Sequence, residues 1–185
     1  MKNIFITILL VGVSFVNAQV IIGDDLGTAG TKTSVLLEFA KGQNKGIILP
    51  YVRTLPAGLA LVGGAIVLDA TDATKARVRF YNGTTWQDLS GQDANLTTPT
   101  DFMSAQPTIA AAPEVATAQA IIGAQSTTVD GVLVLESTTK AMVLPIVSDV
   151  NNIPSPSPGM MVYVNKLGAK RLAVFNGAKW SFWKP

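Results

Sequence analysis

The segment that decides the fold reads ARVRFYNGTTW over residues 76–86, and a second version of it, RLAVFNGAKW, occupies residues 171–180. In both versions a run of strand-forming residues leads into Asn-Gly and on to a tryptophan, Trp86 or Trp180. Asn-Gly after such a run is typical of a β-hairpin with a two-residue turn, because both residues accept the positive φ that this turn requires. We therefore predict a hairpin at each site, with Trp86 opposite Arg79.

The repetition extends upstream of both hairpins. The matched pairs are KGIILP at 45–50 with KAMVLP at 140–145, and VIIG at 20–23 with AIIG at 120–123. A unit repeated in matched order is the signature of a modular structural or binding protein. We predict two homologous β modules, module one over residues 19–90 and module two over residues 118–185.

Strand signals dominate both modules, as short β-branched, aliphatic and aromatic runs punctuated by glycine and proline. The predicted fold class is all-β, each module being a small hairpin-like or sandwich-like unit. Pro50 and Pro145 mark strand ends or edges, because proline cannot donate a ladder hydrogen bond. Residues 91–117, rich in Pro, Thr and Ala, are predicted to form an extended linker with little capacity for core formation. The best candidate for a short helix is residues 110–122.

The first 18 residues have the features of a secretory signal peptide. Lys2 supplies the positive start, residues 4–16 are apolar, and Ala18 ends a small-residue cleavage site. We expect cleavage between Ala18 and Gln19 and a secreted or outer-surface location, with no transmembrane anchor. Removal of Lys2 with the leader leaves 13 basic and 12 acidic residues, a balance that predicts no binding to nucleic acid.

The chain has no cysteine and no histidine. Their absence excludes disulfides, Ser-His-Asp and Cys-His catalysis, and thiolate or imidazole metal sites. The closest acidic pairs are Asp24 with Asp25, which would point apart on a strand, and Asp69 with Asp72, which flank a predicted turn. We predict a non-enzymatic protein with no cofactor and no metal site; a carboxylate-based hydrolase is the disfavoured alternative.

Aromatic residues at the hairpins are the candidate contacts for a ligand or partner. An exposed tryptophan can stack on a sugar ring, as in carbohydrate-binding modules. A tryptophan directly after a turn more often closes a small core, because it has a large apolar area to bury. We favour the core role and keep glycan binding as the alternative. The candidate contact residues are Tyr81, Trp86, Phe175, Trp180 and Trp183.

Several short motifs stand in a fixed order along both modules. They are FYNGTTW at 80–86, VLESTTK at 134–140, LP at 144–145, SPSPGMMVY at 155–163 and FNGAKW at 175–180. This order resembles a recurrent module of secreted Bacteroidota proteins, written LLDL-STTKG-LLPR, PG-LLVY and YNGTxW. It is also similar to segments of phage tail-fibre and receptor-binding proteins.

The resemblance implies an exported, β-rich, modular protein, sometimes trimeric, with no established enzymatic activity. The arginine that usually follows Leu-Pro in that family is replaced by Tyr51 in module one and Ile146 in module two, so no role of that arginine carries over. We therefore expect a structural or adhesive protein that acts through protein–protein contact or self-assembly, with a homotrimer as the oligomer that the resemblance implies.

Overall fold

The computed structural model describes residues 19–59, 61–108, 110, 111, 113, 115 and 118–183. Over these residues the chain consists of short strands and loops with one 3₁₀ turn at Val150–Asn152, which confirms the all-β prediction. The predicted signal peptide lies outside the described residues. The strands are β1 (Val20–Ile22), β2 (Val35–Phe39), β3 (Ile47–Ile48), β4 (Tyr51–Val52), β5 (Ile66–Asp69), β6 (Arg77–Tyr81), β7 (Trp86–Asp88), β8 (Ala120–Ile122), β9 (Leu133–Leu135), β10 (Ala141–Met142), β11 (Ile146–Val147), β12 (Met160–Val164), β13 (Arg171–Phe175) and β14 (Trp180–Trp183).

Module one contains two pieces of sheet. In the first, β1 lies parallel to β2. In the second, β4 lies parallel to β5, and β5, β6 and β7 continue as an antiparallel meander. Leu68 on β5 lies opposite Val78 on β6, and both side chains are fully buried, because residues directly opposite each other lie on the same face of a sheet.

Module two repeats this arrangement strand for strand. β8 lies parallel to β9, β11 lies parallel to β12, and β12, β13 and β14 form the antiparallel meander. The parallel pairs β4–β5 and β11–β12 also share their register: Tyr51 lies opposite Leu68 in module one, and Ile146 lies opposite Tyr163 in module two. The sequence repeat is therefore a structural repeat.

The two modules exchange their middle strands, β3 and β10. β3 leaves module one and pairs antiparallel with β12, with Ile47 opposite Met161 and Ile48 opposite Met160. β10 leaves module two and pairs parallel with β2. The modules are thus joined by sheet hydrogen bonds in both directions as well as by the chain between them.

The prolines lie where the sequence predicts them, at strand ends. Pro50 separates β3 from β4, and Pro145 separates β10 from β11. Each proline carbonyl accepts a hydrogen bond from the neighbouring parallel strand, from Leu68 N–H in module one and Tyr163 N–H in module two, both at 2.9 Å. Proline lacks a donor but keeps its acceptor, so it ends a middle strand without interrupting the next pairing.

The larger hydrophobic core is shared by both modules. It joins Leu49, Leu68 and Val78 of module one to Met161 and Val174 of module two. Burial of each such side chain contributes about 1.5–3 kcal/mol relative to leaving it exposed. The predicted linker contributes to the same core, against our expectation of little core-forming capacity. Its buried side chains are Ala94, Leu96 and Met103.

The sheet of module two is covered on both faces. Met161 on β12 points into the shared core, whereas its neighbours Met160 and Val162 point into a second core that belongs to module two. The second core also holds Val147 and Ile153. Because successive side chains of a strand lie on opposite faces, one strand can serve both cores.

Both hairpins have a four-residue loop, so the predicted two-residue turn was wrong. Tyr81 lies opposite Trp86, and Phe175 lies opposite Trp180; Trp86 is not opposite Arg79. The reason is local side-chain chemistry, since each loop asparagine accepts hydrogen bonds from the backbone N–H groups two and three residues later. Such an asparagine-centred turn competes with the tighter Asn-Gly turn.

The helix predicted over residues 110–122 was wrong at its carboxyl end, where Ala120–Ile122 forms strand β8. Parallel pairing of Ile121 and Ile122 with β9 outweighs the helix propensity of the alanines before them. Residues 109, 112, 114, 116 and 117 lie outside the described residues.

One side-chain hydrogen bond crosses the contact between the modules and can be removed by a single substitution. The Tyr51 hydroxyl donates to the Pro158 carbonyl oxygen at 2.7 Å, and burial raises the pKa of Tyr51 to about 12. We expect Tyr51→Phe to lower the free energy of unfolding by about 0.5–1.5 kcal/mol, because the carbonyl loses its partner. The measurement is urea denaturation, with Tyr163→Phe as the matched control, since the Tyr163 hydroxyl bonds to no described residue. Equal losses in the two variants would contradict the prediction.

Candidate functional site

The most distinctive feature of the molecule is the contact at which the modules exchange strands. On one side, β3 is held against β12, and the Leu49 N–H donates to the Gly159 carbonyl oxygen at 3.0 Å. Gly46, directly before β3, lies so close to β12 that a Cβ there would be 2.5 Å from the Met160 Cγ and 2.8 Å from the Met161 carbonyl oxygen. The glycine is therefore required by the close approach of two backbones.

On the other side, β10 is held against β2. The Ala141 N–H donates to the Ser34 carbonyl oxygen and the Val143 N–H donates to the Leu37 carbonyl oxygen, each at 2.8 Å. Leu37 is fully buried beneath this pairing and Val35 is 5% exposed. β2 is thus paired on both edges, with β1 and with β10.

Side chains of the second hairpin bond to the segment after β7. The Asn176 Nδ2 donates to the Gln92 carbonyl oxygen at 2.9 Å, and the Trp183 Nε1 donates to the Leu89 carbonyl oxygen at 2.8 Å. Asn176 is fully buried, and a Cβ on Gly177 would lie 2.8 Å from the Leu96 Cδ2. Module two is therefore fitted closely against the start of the segment that we predicted to be a linker.

Four of the five predicted contact residues form two separate aromatic pairs. Tyr81 and Trp86 have ring centroids 5.4 Å apart, and the Trp86 Nε1 donates to the Pro56 carbonyl oxygen at 3.2 Å. Phe175 and Trp180 have centroids 5.2 Å apart and pack on the second core. Tilted rings at these distances are in the favourable range for aromatic pairs. Each pair covers the end of its own hairpin, and the structure does not bring the two pairs together in one site.

Trp183 differs from the other tryptophans because it is 48% exposed, although its ring nitrogen is hydrogen-bonded. Beside β14 a shallow groove is lined by Trp180, Phe182, Lys166 and Asp149, with Arg171 across it. The Arg171 guanidinium lies 4.3 Å from the Phe182 ring centroid, close enough for a cation–π contact. Sequence reasoning missed this groove, because it depends on which loop lies beside β14. Glycan binding at the tryptophans stays a prediction.

Three of the four carboxylates considered for catalysis have a local structural partner. Asp69 pairs with Arg79 at 2.8 Å, the Asp72 Oδ1 accepts from Thr74, and the Asp24 Oδ1 accepts from the Gly27 N–H at 2.6 Å. Among the described residues no group of three or more Asp, Glu, His or Cys could hold a metal ion. Nor does any helix in that part of the chain have the length and apolarity to cross a bilayer.

A buried carboxylate fixes the loop that precedes β2. Glu38 is fully buried, and its oxygens accept from the backbone N–H groups of Thr28 and Ala29, each at 2.8 Å, and from the Lys32 Nζ. Gln19, the expected mature amino terminus, also donates to it, at 2.6 Å. Desolvation raises the pKa of Glu38, but the hydrogen bonds from Ala29, Lys32 and Thr28 outweigh it, and the net pKa is lowered. Sequence reasoning missed this residue, and the signal was an acidic residue inside the apolar run VLLEF.

Comparison with known families gives one match. Residues 121–184 match the model of a family described as the phage tail like trimerisation region. The match covers module two from β8 through β14 and supports the relationship to phage tail fibres, whereas the more specific Bacteroidota module stays a prediction. No curated protein and no solved structure matches the chain.

The first prediction from this site concerns Gly46. We expect Gly46→Ala to lower the free energy of unfolding by about 1–3 kcal/mol, since the added methyl group overpacks the contact with β12. Gly30→Ala is the matched control, because a Cβ at Gly30 meets nothing within 4 Å. Guanidinium denaturation of both variants makes the comparison. A Gly46 variant as stable as the Gly30 variant would show that β3 is not held against β12.

The second prediction concerns pH. A carboxylate whose pKa is lowered by folding stabilises the protein above its unfolded pKa, about 4.5, and that contribution is lost as the pH falls through the lower folded value. Glu38→Gln should therefore lower Tm by several degrees at pH 7, and the difference from wild type should shrink below about pH 4.5. Glu136→Gln is the control, since Glu136 is half-buried and accepts from the Thr127 hydroxyl. A difference that stays constant from pH 7 to pH 3 would contradict the assignment.

Proposed function

We propose that this protein is an exported, non-enzymatic structural component that self-associates into a homotrimer of the kind found in phage tail-like fibres. Its role is to present or connect surfaces outside the cell through protein–protein contact. The observation that carries the proposal is the match of residues 121–184, which span nearly all of module two, to a phage tail like trimerisation region.

The way in which the sheets are built supports self-association. Sheets in this chain are completed by strands from another module, as with β3 on β12 and β10 on β2. A fold that completes its sheets by strand exchange can extend the same pairing to a second chain, because backbone hydrogen bonds do not depend on side-chain identity. Trimerisation through module two would use this property.

The polar chemistry of the chain supports a structural role over a catalytic one. Of the acidic residues considered as catalytic groups, Asp24, Asp69 and Asp72 are engaged in turns and ion pairs. Arg77 is bonded to both Asp88 and Asp93, so these two carboxylates also serve a structural ion pair. Secretion rests on the predicted signal peptide, and adhesion rests on the resemblance to surface proteins.

The test is the solution mass of the mature chain beginning at Gln19. Sedimentation equilibrium from low to high micromolar concentration should give the mass of three chains. Circular dichroism on the same sample should show a β spectrum without helical bands. A single-chain mass at every concentration would overturn the trimer, and a stable two-chain mass would replace it with a dimer.

A further inference from the structure

One edge of strand β9 is open. β8 covers the opposite edge, where the Val132 carbonyl oxygen accepts from the Ala120 N–H at 2.9 Å. Because backbone groups alternate sides along a strand, those of Leu133 and Leu135 point away from β8. In the part of the chain that the structure describes, no strand lies on that side, and Leu133 is 49% exposed.

The same edge is occupied in module one. VLLE at 35–38 corresponds to LVLE at 133–136, and in module one the edge is covered by β10, the middle strand of module two. Val35, the counterpart of Leu133, is 5% exposed as a result. The register against the first strand differs by two residues between the modules, which leaves Leu135 on the same edge as its counterpart Leu37 because strands have a period of two. The chain thus shows what kind of strand fits the open edge of β9.

The middle strand that has the right edge free to pair with β9 is β3. β10 donates the amides of Ala141 and Val143 to β2, whereas β3 donates the amide of Leu49, the counterpart of Leu144, to β12. Successive amides of a strand point to opposite edges, so β10 and β3 pair through opposite edges. The edge through which β10 pairs is therefore free in β3, and the edge through which β3 pairs is free in β10. Ile48 on β3 is 56% exposed, so β3 is accessible on the side away from β12.

A second open edge completes the correspondence. In module two, β3 covers Met160 and Met161, which are 7% and 2% exposed. Their counterparts in module one, Ala65 and Ile66, are half-buried, and no middle strand among the described residues pairs with them. The side chains also fit in size. In the exchange within the chain, the large Met160 lies beside Gly46, which has no side chain. In the second contact the small Ala65 takes the place of Met160, which leaves room for the methyl group of Ala141, the counterpart of Gly46.

We propose that the strand exchange seen between the two modules of one chain is repeated between module two of that chain and module one of a second copy. β3 of the second copy lies on the open edge of β9, and β10 of the first chain lies against Ala65 and Ile66 of the second. The partner is this chain itself, and the contact is backbone pairing that places Ile47 opposite Leu135, as Met142 lies opposite Leu37 within the chain.

This contact is head-to-tail, since each chain offers β3 at one end and β9 at the other. Head-to-tail contacts close into a ring when the rotation allows and otherwise run on as a filament. The inference rests on the proposed trimer for its closure at three chains. The strand pairing itself does not depend on that number, so the two can be tested separately.

The chain has no native cysteine, so introduced pairs report on single contacts. Ile47→Cys with Leu135→Cys places thiols at the counterparts of Met142 and Leu37, which are paired in the structure. After oxidation of the full mature chain, non-reducing gels should show covalent dimer and trimer that disappear with reductant. Leu37→Cys with Met142→Cys is the matched control and should give a bond within the single chain.

A second variant avoids reliance on disulfide geometry. Leu133→Lys adds a charge on the open edge, and we expect it to convert the trimer to monomer at concentrations where wild type is trimeric, with an unchanged circular dichroism spectrum. Leu167→Lys, at a residue 96% exposed in a turn, should remain trimeric.

The outcomes separate the inference from the proposed function. A trimeric wild type with no cross-link between chains, and a trimeric Leu133→Lys, would overturn the strand pairing while the trimer stands. A disulfide that joins the introduced thiols of Ile47→Cys and Leu135→Cys within one chain would also overturn it. Cross-linked species that continue beyond three chains would support the pairing and overturn closure as a trimer. A monomeric wild type would overturn both.

Discussion

The exchange of the two middle strands is the constraint on which the rest of the structure depends. β3 and β10 are each only two residues long, and pieces of sheet this small have no stability of their own. They are ordered because their neighbours are buried with them, as when Leu49 follows β3 into the shared core. Hydrogen bonds to β12 and β2 then satisfy backbone groups that burial would otherwise leave unpaired. The modules are therefore joined both by backbone pairing and by a shared core.

The strand exchange within one chain does not cover every matching strand edge of the two modules. The in-chain exchange completes β2 and β12, and among the described residues it leaves the counterpart edges of β9 and β5 without a middle strand. The difference is visible in burial, since Val35 is 5% exposed and its counterpart Leu133 is 49% exposed. An unpaired edge that carries apolar side chains favours pairing with another chain. In the assembly proposed above, the repeat itself supplies the strand edges that pair.

Polar and aromatic residues mainly organise the scaffold. The loop asparagines replace a tight turn by a four-residue loop, and Asn176 also bonds to the segment after β7. The Glu38 carboxylate accepts hydrogen bonds from the loop before β2 and from the expected amino-terminal residue. The aromatic pairs Tyr81 with Trp86 and Phe175 with Trp180 cover the hairpin ends. The most accessible aromatic side chains are Trp183 and Phe182, the latter in the groove beside β14.

The sequence by itself determined the fold class, the repeat, the strand-end prolines and the exclusion of cysteine and histidine chemistry, because these follow from residue type and local periodicity. Only the tertiary structure decided the strand exchange, since a run such as KGIILP has the same local preference whichever module it joins. It also decided the hairpin register, which depends on hydrogen bonds from an asparagine side chain, and the burial of Leu96 in the predicted linker. Pairing and burial depend on residues far apart in the chain, and no local pattern specifies those partners.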